Sequence, residues 1–258
     1  MKAIIQKSIW LLCTALAVTS CSKDNENDNG EPKAEKGYAT GKATDTKGKP
    51  IAGAYLYLQN TVFTSYINST TSQDGTYKIQ LSPGAWKVHA SFQKEYNGQT
   101  YTLRLHTDNS ETMAEEGAVR NATWKLEGRD PDPSYNNAVF YGGMVEVSYH
   151  HTFDYEFQKY VELTFTPDGP LIDGSEGKTY KLMKGDHYWP ESTNRIEDIP
   201  IGRYQVKAVL KTEQGDVPLK IGTSHTEGNF GPGLQLNFIS DENSKYNPVN
   251  HAQIVISY

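Results

Sequence analysis

Short runs in which apolar and polar residues alternate recur along most of the chain. In the clearest pair, between residues 74 and 90, one face carries Tyr77, Ile79, Leu81, Trp86, Val88 and Ala90. A period of two is typical of a strand with one buried face. Pro83-Gly84 separates the two runs, and such a pair favours a chain reversal because proline fixes φ and glycine accepts a positive φ. This stretch therefore predicts a β-hairpin with Trp86 in a core.

Other alternating runs predict further strands, and Gly, Pro and Asp-Gly pairs punctuate them as an all-β protein requires. These runs cover residues 38–46, 51–58, 65–71, 100–106, 120–126, 139–148, 161–166, 234–239 and 253–258. Trp124 alternates with inward positions and is assigned to a core. Residues 194–210 repeat the hairpin pattern: when Gly202 is set on Gly84, Ile199 aligns with Leu81 and Tyr204 with Trp86.

The repeat of the hairpin predicts two tandem β-sandwiches. We expect the first at 37–127 and a second of similar, immunoglobulin-like form at 135–258. An unrelated β-domain is the alternative for the second. Between them, residues 128–134 (Gly-Arg-Asp-Pro-Asp-Pro-Ser) predict a proline-stiffened linker.

An ordered series of short motifs resembles the carboxypeptidase regulatory-like domain. The series is Gly41-Lys42-Ala43-Thr44-Asp45, Gly48-Lys49-Pro50-Ile51-Ala52-Gly53-Ala54, Asp74-Gly75-Thr76-Tyr77 and Pro83-Gly84. The resemblance implies a transthyretin-like sandwich without catalytic residues of its own. The domain is named for its attachment to some carboxypeptidases, so no peptidase activity follows. Related domains share a carbohydrate-binding-like fold, which is a fold-level analogy.

The amino end has the pattern of a lipoprotein signal peptide over residues 1–20. Lys2 and Lys7 precede an apolar segment at 9–18, which is too short to span a bilayer core of about 30 Å. The following Val-Thr-Ser-Cys resembles a bacterial lipobox and implies cleavage before Cys21 and lipidation of that residue. An ordinary signal peptide cut nearby is the alternative.

Residues 21–36 predict a lipidated, disordered tether because they are polar and lack apolar periodicity. The Lys-Asp-Asn-Glu at 23–26 resembles the acidic export signal of Bacteroidetes lipoproteins, which implies display on the outer face of the outer membrane; a plain spacer is the alternative. Acidic residues here match the spacing of a calcium loop, but position 6 is Asn29 and Pro32 interrupts it. We therefore predict no calcium loop there.

Charge and cysteine content exclude several classes of partner and site. The chain carries 25 Lys and Arg against 31 Asp and Glu, and removal of Lys2 and Lys7 leaves 23 against 31, a net charge of −8. This acidity argues against nucleic acid, whose phosphates require a basic surface. With Cys13 in the removed segment and Cys21 lipidated, neither a disulfide nor a cysteine–metal site is expected, and we predict no cofactor.

The remaining polar residues do not form a recognisable catalytic pattern. The seven histidines lack a metal-ligand spacing, and His150-His151 on a strand would point to opposite faces, which indicates surface imidazoles. No Gly-x-Ser-x-Gly or Gly-rich phosphate loop is present. Asp168, Asp173 and Glu176 are read as turn-forming carboxylates, with a loop calcium site as the alternative. We predict no metal site and no enzyme.

Aromatic residues are in surplus in the second half of the chain. Tyr155 lies in the aromatic segment 149–160, and Tyr188 and Trp189 lie in a Tyr-Trp-Pro-Glu turn. Aromatic rings beside polar groups suit the apolar faces and hydroxyls of sugars. Tyr155, Tyr188 and Trp189 are therefore the candidate ligand residues, with interior packing as the alternative for the strand positions.

The sequence as a whole predicts a non-enzymatic lipoprotein, anchored through Cys21, that serves as a binding or scaffold module. Glycan capture in nutrient uptake is the more specific expectation, and an outer-membrane protein is the other partner considered. The alternatives are a purely structural or adhesive module and a metal-dependent hydrolase that uses the second domain.

Overall fold

The computed structural model describes residues 31–131, 139–226, 228–240 and 249–258, and these residues fold almost entirely as strands. The first domain contains β1 (Tyr38–Thr44), β2 (Tyr55–Asn60), β3 (Tyr66–Thr70), β4 (Thr76–Gln80), β5 (Trp86–Tyr96), β6 (Gln99–Thr107), β7 (Ala118–Val119) and β8 (Ala122–Trp124). The second contains β9 (Gly143–Tyr149), β10 (Val161–Pro167), β11 (Tyr180–Met183), β12 (Arg195–Ile199), β13 (Arg203–Thr212), β14 (Gly215–Gly222), β15 (Leu234–Asn237) and β16 (His251–Ser257). A six-residue 3-10 segment, Tyr155–Tyr160, connects β9 to β10.

The two domains have the same strand order. In the first, the hydrogen-bonded path runs β3-β2-β5-β6-β8-β1-β4, and in the second it runs β11-β10-β13-β14-β16-β9-β12. The directions also agree, because β1–β8 and β9–β16 are parallel while the other pairs along both paths are antiparallel. The predicted fold class, two tandem β-sandwiches of similar topology, is confirmed.

The prediction of a β-hairpin at 74–90 is wrong in its pairing, because β4 pairs with β1 whereas β5 pairs with β2 and β6. The repeat behaves alike, since β12 pairs with β9 and β13 with β10, β14 and β15. Each turn thus joins two strands that are not hydrogen-bonded to each other.

The two segments pack in the same way in both domains. Trp86 opens β5 and donates its indole N–H to the carbonyl oxygen of Ser82 at 2.8 Å. Tyr204 stands at the matching place in β13 and donates its hydroxyl to Pro200 O, also at 2.8 Å. Each large ring therefore enters a core while its polar atom bonds the backbone four residues earlier, which removes the cost of burying that atom.

Alternation along the strands places the apolar faces inward, as the sequence predicts. Trp86 and Trp124 are 1% and 4% exposed, so the assignment of both to a core is confirmed. One continuous cluster of buried apolar residues includes members of both domains, so the sandwiches adjoin each other closely.

The end of the β5–β6 hairpin contacts the second domain through hydrogen bonds to its backbone. Tyr101 donates its hydroxyl to Phe238 O at 2.6 Å, and Gln99 Nε2 reaches the same oxygen at 3.3 Å. Tyr96 donates its hydroxyl to Pro170 O at 2.8 Å. Tyr101 is 1% exposed, and burial raises the pKa of its phenol to about 12. These three bonds, of which the one from Tyr101 is buried, connect the two sandwiches.

The chain between the domains folds back on itself. Residues 128–130 fall in the predicted linker, yet the N–H of Asp130 donates to Val139 O at 2.7 Å and the N–H of Tyr141 to Gly128 O at 3.0 Å. Residues 132–134 of that linker lie outside the described residues. Residues 128–130 therefore pair with residues 139–141, and the proline content of the linker does not predict this pairing.

Asp198 fixes this paired segment to the second domain. Its carboxylate accepts the backbone N–H of Gly128 at 2.7 Å and that of Gly142 at 3.0 Å. The residue is 6% exposed and has a φ of +66°, at an irregularity in the pairing of β12 with β9. Burial raises the pKa of the Asp198 carboxyl, while the two N–H donors oppose that shift.

His106 is expected to make the stability of the domain junction depend on pH. Its Nδ1 lies 2.6 Å from the hydroxyl oxygen of Tyr141. Burial lowers the pKa of His106, nearby Lys125 lowers it further, and Asp130 and Asp108 oppose the shift. The unfolded chain, with a histidine pKa near ~6.5, then binds the proton more readily than the folded chain. Stability is therefore lost as pH falls from about 6.5 through the folded-state pKa.

We expect urea unfolding of the wild type to show a lower free energy at pH 5.5 than at pH 7.5, and His106→Gln to lose part of that slope. An identical pH dependence in both proteins would contradict this account. The comparison is made between slopes, because the substitution itself also changes the stability at pH 7.5.

Candidate functional site

A hollow of about 680 Å³ lies beside the 3-10 segment. Its lining comprises Tyr155, Glu156, Phe157, Gln158, Lys159, Tyr160, Lys184 and Glu191. Asp154 begins the segment by accepting the backbone N–H of Glu156 at 3.0 Å, and the N–H of Val161 ends it by donating to Gln158 O. Aspartate is favoured at such a start because its side chain satisfies an N–H that the turn leaves free.

The aromatic side chains of this segment face solvent. Tyr155 is 80% exposed, Phe157 42% and Tyr160 44%. Phe153, which precedes the segment, is buried and stacks on Tyr258 with ring centroids 4.7 Å apart. Three exposed rings on six consecutive residues form an apolar surface that the core does not use. Tyr155, one of the predicted ligand residues, therefore lies on an accessible surface.

Charged groups around the rings balance one another. Glu156 and Glu191 line the hollow together with Lys159 and Lys184. Lys184 Nζ donates to Asn194 Oδ1 at 2.7 Å, and Lys159 Nζ lies 4.9 Å from the centroid of the Tyr160 ring. Two cations and two carboxylates supply hydrogen-bond donors and acceptors without a strong net field. Such a lining suits a neutral ligand with many hydroxyl groups better than a polyanion.

The other two predicted ligand residues lie elsewhere. Trp189 is fully buried, so it cannot offer a ring face to a ligand at the surface and is a core residue. Tyr188 is half-buried, and its hydroxyl lies 3.3 Å from Glu127 Oε2. Tyr188 lies in a turn closed by the bond from the N–H of Trp189 to Asp186 O at 3.0 Å. Its side chain extends toward Glu127 of the first domain while that of Trp189 enters the core. The structure does not bring Tyr155 and Trp189 into one surface.

Lys184 and Glu191 are the site residues that sequence reasoning missed. Lys184 follows β11, and Glu191 comes two residues after Trp189. The Tyr-Trp-Pro-Glu turn therefore marks the right loop, but its charged residue faces the hollow and its tryptophan does not. The sequence did hold a signal for Glu191: glutamate is rarely buried without a partner, so a glutamate in this turn is expected to be exposed.

His150 corrects the expectation of surface imidazoles. It is 6% exposed, and its Nδ1 lies 2.9 Å from Thr152 Oγ1. Its ring centroid is 4.1 Å from that of His151. The expectation that the two rings point to opposite faces is wrong because both residues follow the end of β9, where strand alternation no longer applies.

Two of the three carboxylates considered for calcium, Asp168 and Asp173, accept hydrogen bonds from protein donors. Asp168 Oδ2 accepts hydrogen bonds from Gln235, Gln205 and Arg203, and these bonds lower the pKa of its carboxyl. Burial raises the pKa of Asp173, but bonds from Ser175 and Thr46 outweigh it and the net shift is downward. Within the described residues, no group of three His, Cys, Asp or Glu side chains is placed to hold a metal ion.

The predicted lipidation residue, Cys21, lies outside the described residues. In the part of the chain that the structure describes, none of the helical segments is both long and apolar enough to cross a membrane.

Comparison with known proteins identifies the first domain. Residues 39–114 match the sequence profile of the carboxypeptidase regulatory-like domain, which confirms the resemblance drawn from the motifs. A comparison with curated protein sequences gives no match.

Solved structures show only weak similarity. The Bacillus anthracis TIE protein is 14% identical over 86% of this chain and 33% of its own, with a TM-score of 0.30. A leucine-rich repeat protein from Bacteroides thetaiotaomicron is 13% identical over 72% of this chain and 23% of its own, with a TM-score of 0.27. BcpA, the major pilin subunit of Bacillus cereus, is 10% identical over 86% of this chain and 99% of its own, with a TM-score of 0.24. The chain thus spans at most a third of the first two proteins.

Proposed function

We propose that this chain, whose residues 39–114 form a carboxypeptidase regulatory-like domain, is a non-enzymatic surface lipoprotein that captures glycans. Its ligand site is the hollow along the 3-10 segment Tyr155–Tyr160. The observation that carries the proposal is the exposure of three aromatic rings within a charge-balanced hollow.

The chemistry of the hollow favours sugars over other ligands. Pyranose rings carry apolar C–H faces and a rim of hydroxyls, so they bind where ring faces stand beside amide, amine and carboxylate groups. Tyr155 and Phe157 supply ring faces, and Gln158, Lys184 and Glu191 supply polar partners. Binding of this kind requires neither an activated nucleophile nor an acid and a base with shifted pKa values, which catalysis would require. The proposed role is therefore capture without reaction.

Replacing Tyr155 by alanine is expected to weaken binding to a retained polysaccharide about tenfold, equivalent to about 1.4 kcal/mol. The measurement is affinity gel electrophoresis of the purified protein against a panel of neutral and acidic polysaccharides, followed by calorimetry on the one retained best. Tyr155→Phe is the matched control, because it keeps the ring face and removes only the hydroxyl.

Two results would overturn the glycan proposal. One is the absence of retention on every polysaccharide tested. The other is wild-type affinity in Tyr155→Ala and in the double variant with Phe157→Ala. Capture of an outer-membrane protein through the same exposed rings, lost in Tyr155→Ala, would instead support the adhesive alternative.

The membrane attachment belongs to the same proposal. A lipid on Cys21 and the polar chain after it would tether the two sandwiches at the outer membrane and present them at the cell surface. The tether would end before residue 36, because Lys33 O accepts the Thr40 hydroxyl at 2.8 Å and Glu35 pairs with Lys78 at 2.6 Å. A single acyl chain holds a protein only marginally, whereas the two or three chains of a bacterial lipoprotein hold it stably.

Cys21→Ala is expected to abolish incorporation of an alkyne-labelled fatty acid and to move the protein from the membrane fraction to the soluble one. Ser22→Ala serves as the neighbouring control and should be labelled like the wild type. Labelling of the Cys21→Ala protein would show that another residue is acylated and would refute this anchor.

A further inference from the structure

A second surface with ligand-binding character lies on the outer face of the first domain. Leu56 and Leu58 of β2 point into the core, so alternation turns Tyr55 and Tyr57 outward. The register sets Tyr57 between Asn68 of β3 and His89 of β5. One row along, Gln59 lies between Tyr66 and Lys87. We call the outward residues Tyr55, Tyr57, Tyr66, Asn68 and His89 the tyrosine face.

The rings of the tyrosine face are held in place by one another. Tyr57 and Tyr66 stack with centroids 5.5 Å apart and an interplanar angle of 25°, and the ring of His89 lies 6.1 Å from that of Tyr57. The Tyr55 hydroxyl donates to Asn68 Oδ1 at 2.8 Å. Tyr66 nevertheless remains 62% exposed. Ring positions that are fixed before a ligand arrives reduce the entropy lost on binding.

A hollow of about 560 Å³ adjoins this face at the row of Gln59 and Lys87. Its far wall is the loop between β2 and β3, where Val62 and Phe63 are 64% and 58% exposed. The described residues that line it include one lysine and no carboxylate. The hollow therefore combines apolar contacts with amide, hydroxyl and amine hydrogen-bonding groups.

The loop that exposes these apolar side chains is a built structure. Asn60, which is 5% exposed, accepts the backbone N–H groups of Val62 and Phe63 through Oδ1, both at 3.0 Å. Its Nδ2 lies 3.4 Å from Pro83 O, and the N–H of Thr61 donates to Ala85 O at 2.7 Å. A buried amide thus fixes a loop whose apolar tip points to water, an arrangement that core packing does not require.

We propose that the tyrosine face and the adjoining hollow form a second saccharide-binding site, in which sugar rings lie on Tyr57 and Tyr66 and reach Phe63. The choice of a saccharide rests on the proposed function; the location rests on the geometry of β2, β3 and β5 alone. Adjacent strands are about 4.8 Å apart, which is close to the length of one sugar ring. Aromatic and amide groups on β3, β2 and β5 therefore recur across the sheet at a spacing that successive sugars of an extended chain can match.

Tyrosine is also common at protein interfaces, so the rings alone do not select the ligand. Amide and hydroxyl groups stand directly beside the rings, and among the described lining residues of the hollow Lys87 is the one with a charged side chain. This mixture of ring faces and neutral polar groups favours a hydroxyl-rich ligand. Binding at two fixed places on one rigid protein would add avidity for a long polysaccharide.

The test uses the purified full chain and the polysaccharide that retains the wild type best, with Tyr66→Ala, Tyr155→Ala and the double variant compared by affinity electrophoresis. Tyr66→Phe and Thr70→Ala, both on β3, are the controls. Tyr66 is exposed, so we expect its removal to leave thermal unfolding nearly unchanged, which unfolding scans check. We expect Tyr66→Ala to weaken retention at least about threefold, and the double variant to lose more than either single variant.

The outcomes separate this site from the one at Tyr155. Normal retention of Tyr66→Ala, with loss in Tyr155→Ala, overturns the second site and leaves the proposed function standing. Loss in Tyr66→Ala alone supports the second site and removes the first. A wild type that no polysaccharide retains overturns both, and capture of a protein that depends on Tyr66 but not on sugar overturns the saccharide assignment.

Discussion

Gly143→Ala is expected to lower the free energy of unfolding by about 3 kcal/mol. A Cβ atom at position 143 would lie 2.6 Å from Cδ1 of the fully buried Phe238 ring, a distance that forces the ring to move. Overfilling a packed core costs about 1–3 kcal/mol. The carbonyl oxygen of Phe238 also accepts the Tyr101 hydroxyl. Displacement of Phe238 weakens that bond and adds about 1 kcal/mol to the cost.

Chemical denaturation of the purified variant measures this loss. Gly233→Ala is the matched control, because the nearest atom to its new Cβ, Val206 O, is 3.4 Å away and the cost should stay within about 0.5 kcal/mol. Equal stability of the two variants would mean that Phe238 is not held as tightly as the structure indicates. A second expectation is that Gly143→Ala weakens the contact between the domains, detected as faster hydrogen exchange in β6.

Asp198→Ala is expected to cost about 3 kcal/mol through two separable effects. The first is the loss of the bonds to the N–H groups of Gly128 and Gly142, since a buried donor left without a partner costs about 1–3 kcal/mol. The second is the φ of +66°. Aspartate tolerates this left-handed conformation, whereas for alanine it costs about 1–2 kcal/mol.

A series of replacements at position 198 separates the two effects. Glycine adopts the positive φ freely but makes neither bond, so Asp198→Gly should be more stable than Asp198→Ala by about 1 kcal/mol, although it has the smaller side chain. Asp198→Asn keeps one acceptor and should lose least. Urea unfolding at pH 7 measures the order, and an alanine variant as stable as the glycine variant would falsify the backbone argument.

The sequence predicts the fold well because the signals that define it are local. Alternation identifies the two strands and the turn at 74–90, and their repeat at 194–210 identifies the second sandwich. It does not identify their partners: β4 and β5 pair with other strands and not with each other, because pairing depends on residues far away in the chain. The structure confirms the correspondence, since β4–β5 and β12–β13 occupy the same positions in two identical strand orders. Tyr204 replaces Trp86 without changing the packing because both large rings place a donor on the carbonyl four residues earlier.

Strands that break the local rules were missed. β14 contains Pro218, which argues against a strand because proline cannot donate to a ladder. The structure accommodates it because β14 pairs only with β13 at that point, and its pairing with β16 begins at Lys220. The four-residue β11 is too short for alternation to stand out. The pairing of residues 128–130 with 139–141 depends on Asp198, which is about 60 residues later in the chain.

The site was predicted only in part because solvent exposure is a tertiary property. The sequence marks both Tyr155 and Trp189 as aromatic residues in polar surroundings. Tyr155 lies on a segment without buried residues, whereas the turn between β11 and β12 directs Trp189 into the core. Composition cannot distinguish these cases. The tyrosine face was missed because Tyr55 and Tyr57 belong to a strand, where interior packing is the default expectation.

The place of β1 in the first sheet determines how the protein bears load. β1 pairs with β4 on one side and with β7 and β8 on the other, and the chain before residue 31 would carry the anchor. A pull from that side acts along the strand, while the hydrogen bonds of the β1–β4 ladder lie across it. These bonds share the force and must yield together instead of opening one after another. A domain loaded through this internal strand would resist mechanical unfolding better than one loaded through an edge strand.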